Sequence, residues 1–145
     1  MTDFDFRSEW VLTASADRVY DMLADAENYS LWWPQVRRVR MFDADSGSMT
    51  IRSVVPLTLD VFGRREVEDP VARLLKVNLS GAMTGWSRWT VRPSGIGCVA
   101  DFRQEVTVSG ALGVAARVAK PVFEWNHAAM MRGGYRGLSA YLSVP

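Results

Sequence analysis

Few side chains in this 145-residue sequence could carry nucleophilic or metal-assisted chemistry. His127 is the only histidine and Cys98 the only cysteine, so neither a Cys/His zinc cluster nor an intrachain disulfide can form. The sequence has no nucleotide-binding glycine loop, no HExxH pair, no EF-hand loop and no GxSxG elbow. It therefore predicts neither a metal nor a cofactor.

Four polar side chains are the candidates for acid–base work, which needs a group within hydrogen-bonding reach of a reacting atom. They are Arg65, Gln104, His127 and Tyr141. His127 lies at the flank of the apolar face of a predicted helix, and we interpret it as a structural helix histidine. No catalytic residue can be assigned from spacing alone.

The elements that position these residues follow from hydrophobic periodicity. Apolar residues alternate over residues 4–12, as in a half-buried strand. Ser15 can cap a first short helix, and Asn28 can begin a second, which Pro34 stops. Short alternating runs with turn signals then continue to residue 108, and residues 111–142 read as one long helix broken at Pro121. This order predicts an α+β fold with an antiparallel sheet of about six to seven strands.

Composition limits the classes of partner. Lys and Arg number 17 against 16 Asp and Glu, and 48% of the residues are hydrophobic. These values predict one globular domain over residues 1–145, without the basic field that nucleic-acid binding requires. No apolar run approaches the roughly 18 residues of a membrane span, and no signal peptide is visible. We expect a cytoplasmic protein with neither a nucleic-acid partner nor integral membrane association.

The polar Asn126 falls within the apolar stripe of the long helix at 100° per residue. That stripe is predicted to contain Ala119, Val122, Phe123, Met130, Gly133, Gly137 and Tyr141. Asn126 could bond a strand as a buried structural amide, or it could face a cavity with an amide atom free for a ligand, and we predict the second. The helix glycines likewise allow either close packing or an open hollow.

Side chains that face this helix from the sheet would line any hollow between the two. Four polar residues fall on the same side of their predicted strands as apolar neighbours, so we expect them to point toward the helix. They are Ser53, Arg65, Ser87 and Gln104. The predicted lining residues are Trp10, Trp33, Ser53, Leu59, Arg65, Ser87, Trp89, Phe102, Gln104, Phe123, Asn126, Met130 and Tyr141.

Four sequence segments, together with the order of elements, resemble the START/Bet v 1-like (SRPBCC) superfamily, and most closely its polyketide cyclase/dehydrase-type members. They are ADRVYD at 16–21, YxxWWP at 29–34, GxxRWxVxP at 85–93 and FxWNHxxMMRxG at 123–134. The resemblance implies a helix-grip fold, in which a curved sheet wraps around the long C-terminal helix. It also implies a deep apolar cavity between the sheet and that helix.

Three functions are compatible with this resemblance. The leading one is binding of a hydrophobic small molecule, such as a lipid or a polyketide-like compound, in the cavity. The second is a polyketide aromatase/cyclase or dehydrase that acts in the same cavity. The third is a non-catalytic stress, quinone-binding or protein-interaction module, which exposed Trp32 and Trp33 would favour. The sequence specifies neither the ligand nor the oligomeric state.

Overall fold

Seven antiparallel strands form one curved open sheet in the computed structural model, which describes residues 3–143. The spatial order is β1-β7-β6-β5-β4-β3-β2, so the first strand of the chain pairs with the last. This confirms the predicted antiparallel sheet. The strands are β1 (Phe4–Leu12), β2 (Val36–Met41), β3 (Ser46–Arg52), β4 (Thr58–Asp69), β5 (Leu74–Gly81), β6 (Met83–Ser94) and β7 (Gly97–Val108).

Two short helices follow β1, as predicted. Helix α1 (Ala16–Ala24) begins after Ser15, whose Oγ accepts a hydrogen bond from the Arg18 backbone N–H at 3.2 Å. A 3-10 helix then covers Ala26–Leu31. Together with the long C-terminal helix, these elements confirm the helix-grip fold.

The C-terminal helical region is two helices rather than one continuous helix. Helix α2 (Gly110–Val118) ends at Ala119, and α3 (Lys120–Ser143) begins directly after it. The predicted break at Pro121 is therefore displaced by two residues. Pro121 lies in the first turn of α3, where its missing N–H would have no intrahelical partner anyway.

The buried stripe of α3 differs from the predicted one at both ends of the helix. Val122 and Tyr141 are 48% and 43% exposed, so their predicted place on the sheet-facing stripe is wrong. The fully buried positions of the helix are instead Met131, Gly134, Leu138 and Leu142. Their spacing of three, four and four residues still follows one helical face.

Glycines let the C-terminal half of α3 approach three tryptophans closely. A Cβ atom at Gly134 would lie 2.5 Å from the Trp33 ring and 2.8 Å from the Trp10 ring. A Cβ atom at Gly137 would overlap the backbone carbonyl oxygen of Trp32. Of the two interpretations of the helix glycines, close packing therefore applies at these positions.

The tryptophans form the centre of the hydrophobic core. The Trp10 ring centroid lies 5.6 Å from that of Trp33 and 4.7 Å from that of Trp89. The Trp33 indole N–H donates to the carbonyl oxygen of Met130 on α3 at 2.9 Å. Trp32 and Trp33 are both buried, so the exposed aromatic pair that would favour an interaction module is not present.

The contact at Gly137 generates a stability prediction. Alanine is the better helix former by about 1 kcal/mol, so propensity alone would make Gly137→Ala stabilising. We expect Gly137→Ala to lower the free energy of unfolding by about 1–3 kcal/mol, because the Trp32 backbone must move. Urea unfolding measures this, with Arg136→Ala on the exposed face as a near-neutral control. A more stable Gly137→Ala protein would contradict the close packing.

Candidate functional site

A cavity of about 220 Å³ lies between the inner face of the sheet and the N-terminal half of α3. Its wall on the helix side includes Phe123, Asn126, His127, Met130 and Met131. The small-residue stretch that seats α3 on the tryptophans begins just beyond this segment. The hollow therefore occupies the part of the helix–sheet interface that the glycine contacts do not close.

Most of the predicted lining residues are in the cavity wall. The structure brings together Trp33, Ser53, Leu59, Arg65, Ser87, Trp89, Phe102, Gln104, Phe123, Asn126 and Met130. Their roles in binding remain predictions, because their placement says nothing about a ligand.

Two predicted lining residues lie elsewhere. Trp10 points into the packed core, where the tryptophans and Gly134 surround it. Tyr141 lies on the exposed side of α3, which also removes it as an acid–base candidate for the cavity. Trp10 is enclosed by the close packing of the C-terminal half of α3, whereas Tyr141 is on the wrong side because Leu142 takes the buried position.

One row of inward-facing residues crosses five strands at mid-sheet. Pairing links Phe6 to Gln104, Gln104 to Ser87, Ser87 to Val77, and Val77 to Arg65. The pairing of β4 with β5 shifts register between Arg65 and Val67. With about 4.8 Å between strands, Arg65 lies roughly 14 Å from Gln104 across the sheet.

His127 is held rigidly at the Gln104 end of this row. Its ring stacks on Phe6, with the ring centroids 3.6 Å apart and the planes 4° from parallel. Its Nε2 lies 2.9 Å from Oε1 of the buried Gln104. An amide oxygen only accepts hydrogen bonds, so Nε2 carries the proton and Nδ1 keeps its lone pair.

Burial keeps His127 uncharged. Desolvation lowers the pKa of its imidazole from 6.5 to about 3, because removing the cation from water is costly and no carboxylate is close enough to compensate. His127 is therefore neutral across the physiological range. Its place in the wall was not predicted. Leu138 and Leu142 are the only leucines of α3, and they could have indicated the position of His127. Steps of three or four residues back from them lead through Met131 to His127, which places all four on one helical face.

Asn126 combines both roles that the sequence left open. Its Oδ1 accepts a hydrogen bond from the Val55 backbone N–H at 2.8 Å, and its own carbonyl accepts from the Ser53 hydroxyl at 3.0 Å. These bonds tie the loop between β3 and β4 to α3. The described residues supply no hydrogen-bond partner for Nδ2, although Asn126 lines the cavity.

Arg65 closes the opposite end of the row. One of its terminal nitrogens donates to the Ala24 carbonyl at the end of α1. The other lies 3.2 Å from the Ala44 carbonyl oxygen and 3.3 Å from a Glu68 carboxylate oxygen. These bonds connect α1, the β2–β3 turn and β4, so this guanidinium fastens the wall.

Two further properties bear on chemistry. Within residues 3–143, no three His, Cys, Asp or Glu side chains are grouped as metal ligands would be. None of the helices in that range has the length and apolar character needed to cross a membrane.

Comparisons with known proteins agree with this architecture. A family model described as polyketide cyclase/dehydrase and lipid transport matches residues 3–143. A search of the curated proteins finds no match.

Three solved structures illustrate the similarity. The protein TTHA0849 from Thermus thermophilus has a TM-score of 0.78 at 14% identity, covering 97% of this chain and 100% of its own. A START superfamily protein from Mycobacterium smegmatis has a TM-score of 0.77 at 12% identity, covering 94% and 95%. The Zhui aromatase/cyclase from Streptomyces sp. R1128 has a TM-score of 0.73 at 15% identity, covering 97% and 96%. At these identities the similarity shows the fold alone.

The Asn126 contacts give a first prediction for the site. Asn126→Ala leaves the Val55 N–H without its acceptor, so we expect the free energy of unfolding to fall by about 1–2 kcal/mol. Ser53→Ala is the matched control, because it removes a hydroxyl from the same junction without orphaning a backbone donor. Urea unfolding of both variants measures the difference. Equal effects would mean that water replaces the Asn126 oxygen.

The lowered pKa of His127 predicts a pH-dependent stability. Between pH 6.5 and about 3, unfolded His127 binds a proton that the folded protein excludes. Stability from this residue is thus fully present above pH 6.5 and falls with pH by up to about 1.4 kcal/mol per unit. His127→Phe keeps the ring but cannot titrate. Unfolding of both proteins at pH 4.5–7 should show a steeper decline for the wild type, and parallel curves would refute the lowered pKa.

Proposed function

The chain belongs to the polyketide cyclase/dehydrase and lipid transport family, and from this premise we propose that it binds a small hydrophobic molecule between the sheet and α3. The observation that carries the proposal is the cavity itself. Its wall is predominantly apolar, with a few polar side chains at defined positions, which is the usual composition of a small-molecule site.

The unfilled space itself supports this function. Protein cores are close-packed, so side chains around a cavity of about 220 Å³ lack the contacts that a filled core would give them. A larger side chain at one of the small wall residues would fill part of it. Such an unfilled space is expected where a ligand occupies it.

The volume limits the size of the ligand. A cavity of about 150 Å³ accommodates benzene, whereas pockets for drug-sized molecules occupy roughly 300–1,000 Å³. At about 220 Å³, this cavity lies between the two. We therefore propose a ligand about the size of two fused rings rather than a long acyl chain.

Polyketide cyclisation or dehydration is the second candidate, favoured by the structural similarity to the Zhui aromatase/cyclase. It requires a group that removes and returns protons near neutral pH. His127, with a pKa of about 3, is a weak base at that pH. Arg65 directs its donors into wall carbonyls and Glu68. The polar groups of the cavity are thus better suited to holding a ligand than to proton transfer.

The interaction-module alternative loses its basis, because Trp32 and Trp33 are buried. We also propose a cytoplasmic location, since the single Cys98 leaves no intrachain disulfide to maintain in an oxidising compartment.

Binding of naphthalene, followed by quenching of tryptophan fluorescence, tests the proposed function. We expect saturable binding to the wild-type protein. Ser87→Phe should weaken it tenfold or more, a loss above about 1.4 kcal/mol, because the new ring occupies the cavity. Thr90→Phe, on the outward face of the same strand, is the control and should bind like the wild type. Absence of saturable binding, or equal affinity in both variants, would reject the proposal.

A further inference from the structure

Two adjacent residues leave hydrogen-bonding atoms unused in the cavity. His127 gives its Nε2 proton to Gln104, and no residue in the described range bonds its Nδ1. Asn126 uses Oδ1 for the Val55 N–H, and its Nδ2 has no partner in the same range. An unused acceptor and an unused donor therefore belong to neighbouring wall residues.

Neither atom is sealed inside the protein. Across residues 3–143, the fully buried side-chain nitrogens and oxygens that lack a partner are Trp32 Nε1, Gln35 Oε1 and Arg103 Nε. Nδ1 of His127 and Nδ2 of Asn126 are not among them, so both reach open space. Both residues line the cavity, and we infer that this open space is part of it.

We propose that His127 is a specificity-determining residue, whose Nδ1 accepts a hydrogen bond from a hydroxyl group of an otherwise apolar, uncharged ligand. The proposal deepens the proposed function and rests on it. A hydroxyl group suits both unused atoms, since it donates to Nδ1 and can accept from Nδ2 of Asn126. A ketone or an ether would leave the His127 lone pair without a donor.

Rigidity at His127 makes this selection effective. The Phe6 ring covers one face of the imidazole, and Gln104 fixes its rotation through Nε2. The lone pair of Nδ1 therefore has a fixed direction, and a donor must approach in the plane of the ring. A preorganised acceptor loses little entropy on binding. The hydrogen bond to a hydroxyl should therefore increase the affinity over that of a ligand without one.

The surroundings of His127 exclude charged alternatives. Phe6, Phe102 and Gln104 contact or flank the ring, and none of them carries charge. Arg65 stands at the opposite end of the mid-sheet row, and its guanidinium is bonded to Ala24, Ala44 and Glu68. A carboxylate or an ammonium group beside His127 would lose its hydration without gaining an opposite charge.

Three probes with nearly the same shape test the proposal. Naphthalene has no polar group, 2-methoxynaphthalene only accepts, and 2-naphthol both donates and accepts. We expect 2-naphthol to bind the wild-type protein about three- to tenfold more tightly than 2-methoxynaphthalene. Failure of naphthalene to bind would reject the proposed function. Binding of naphthalene without a preference for 2-naphthol would reject only the role of His127.

Variants assign the preference to His127. His127→Phe preserves a ring against Phe6 and removes Nδ1, so the preference for 2-naphthol should disappear while naphthalene still binds. Thr90→Ala removes a hydroxyl from the outward face of β6, outside the cavity, and should leave the preference unchanged. A preference that survives in His127→Phe, or that disappears in Thr90→Ala, would overturn the assignment.

A measurement on the wild-type protein avoids dependence on the folding of His127→Phe. Imidazole ¹⁵N NMR should show the proton on Nε2 and an unprotonated Nδ1. Addition of 2-naphthol should shift the Nδ1 resonance, whereas naphthalene should leave it in place. A proton on Nδ1, or an unchanged Nδ1 resonance at saturating 2-naphthol, would refute the proposal.

Discussion

The contact between the glycines of α3 and the tryptophans of the core determines where this protein can have a cavity. Gly134 and Gly137 bring the helix backbone against Trp10, Trp32 and Trp33 with no room for a side chain. The Trp33 indole N–H donates a hydrogen bond to the Met130 carbonyl oxygen and so anchors α3 to the core. The preceding turns carry Phe123, Asn126, His127 and Met130, which line the cavity. The cavity therefore lies directly beside the closely packed part of the helix–sheet interface.

The wall of that cavity is polar at separate points that serve different purposes. At one end, Arg65 holds α1, the β2–β3 turn and β4 together. On the helix side, Asn126 ties down the β3–β4 loop, and Gln104 orients His127. In each case a hydrogen bond to the protein satisfies part of the polar group. What remains for a ligand is a small number of fixed atoms in apolar surroundings.

Much of this arrangement could be predicted from the sequence, because strand parity is a local property. Alternation along single strands predicted that Arg65, Ser87 and Gln104 point inward, and all three line the cavity. The phase of α3 was less accessible, since Pro121, the glycines and mixed apolar residues allow more than one stripe. Phe123, Asn126 and Met130 were placed on the correct side of the helix. Tyr141 was placed inward where Leu142 is buried, and His127 was placed at the flank although it lies in the wall. Long-range pairs such as His127 with Gln104 depend on tertiary structure.

The burial that shapes the cavity also limits its chemistry. Desolvation lowers the pKa of His127 to about 3, whereas an effective general base has a pKa near the working pH. A ligand that displaces water from the cavity would strengthen a hydrogen bond that Nδ1 accepts, because the surroundings of the ring are apolar. A carboxylate beside the imidazole would restore its basicity, but Gln104 is uncharged and only orients the ring. The His127 imidazole is therefore a weak base with a fixed hydrogen-bonding direction. These properties suit the binding of a ligand better than the transfer of a proton. The lowered pKa of His127 is thus consistent with the proposed role in ligand binding.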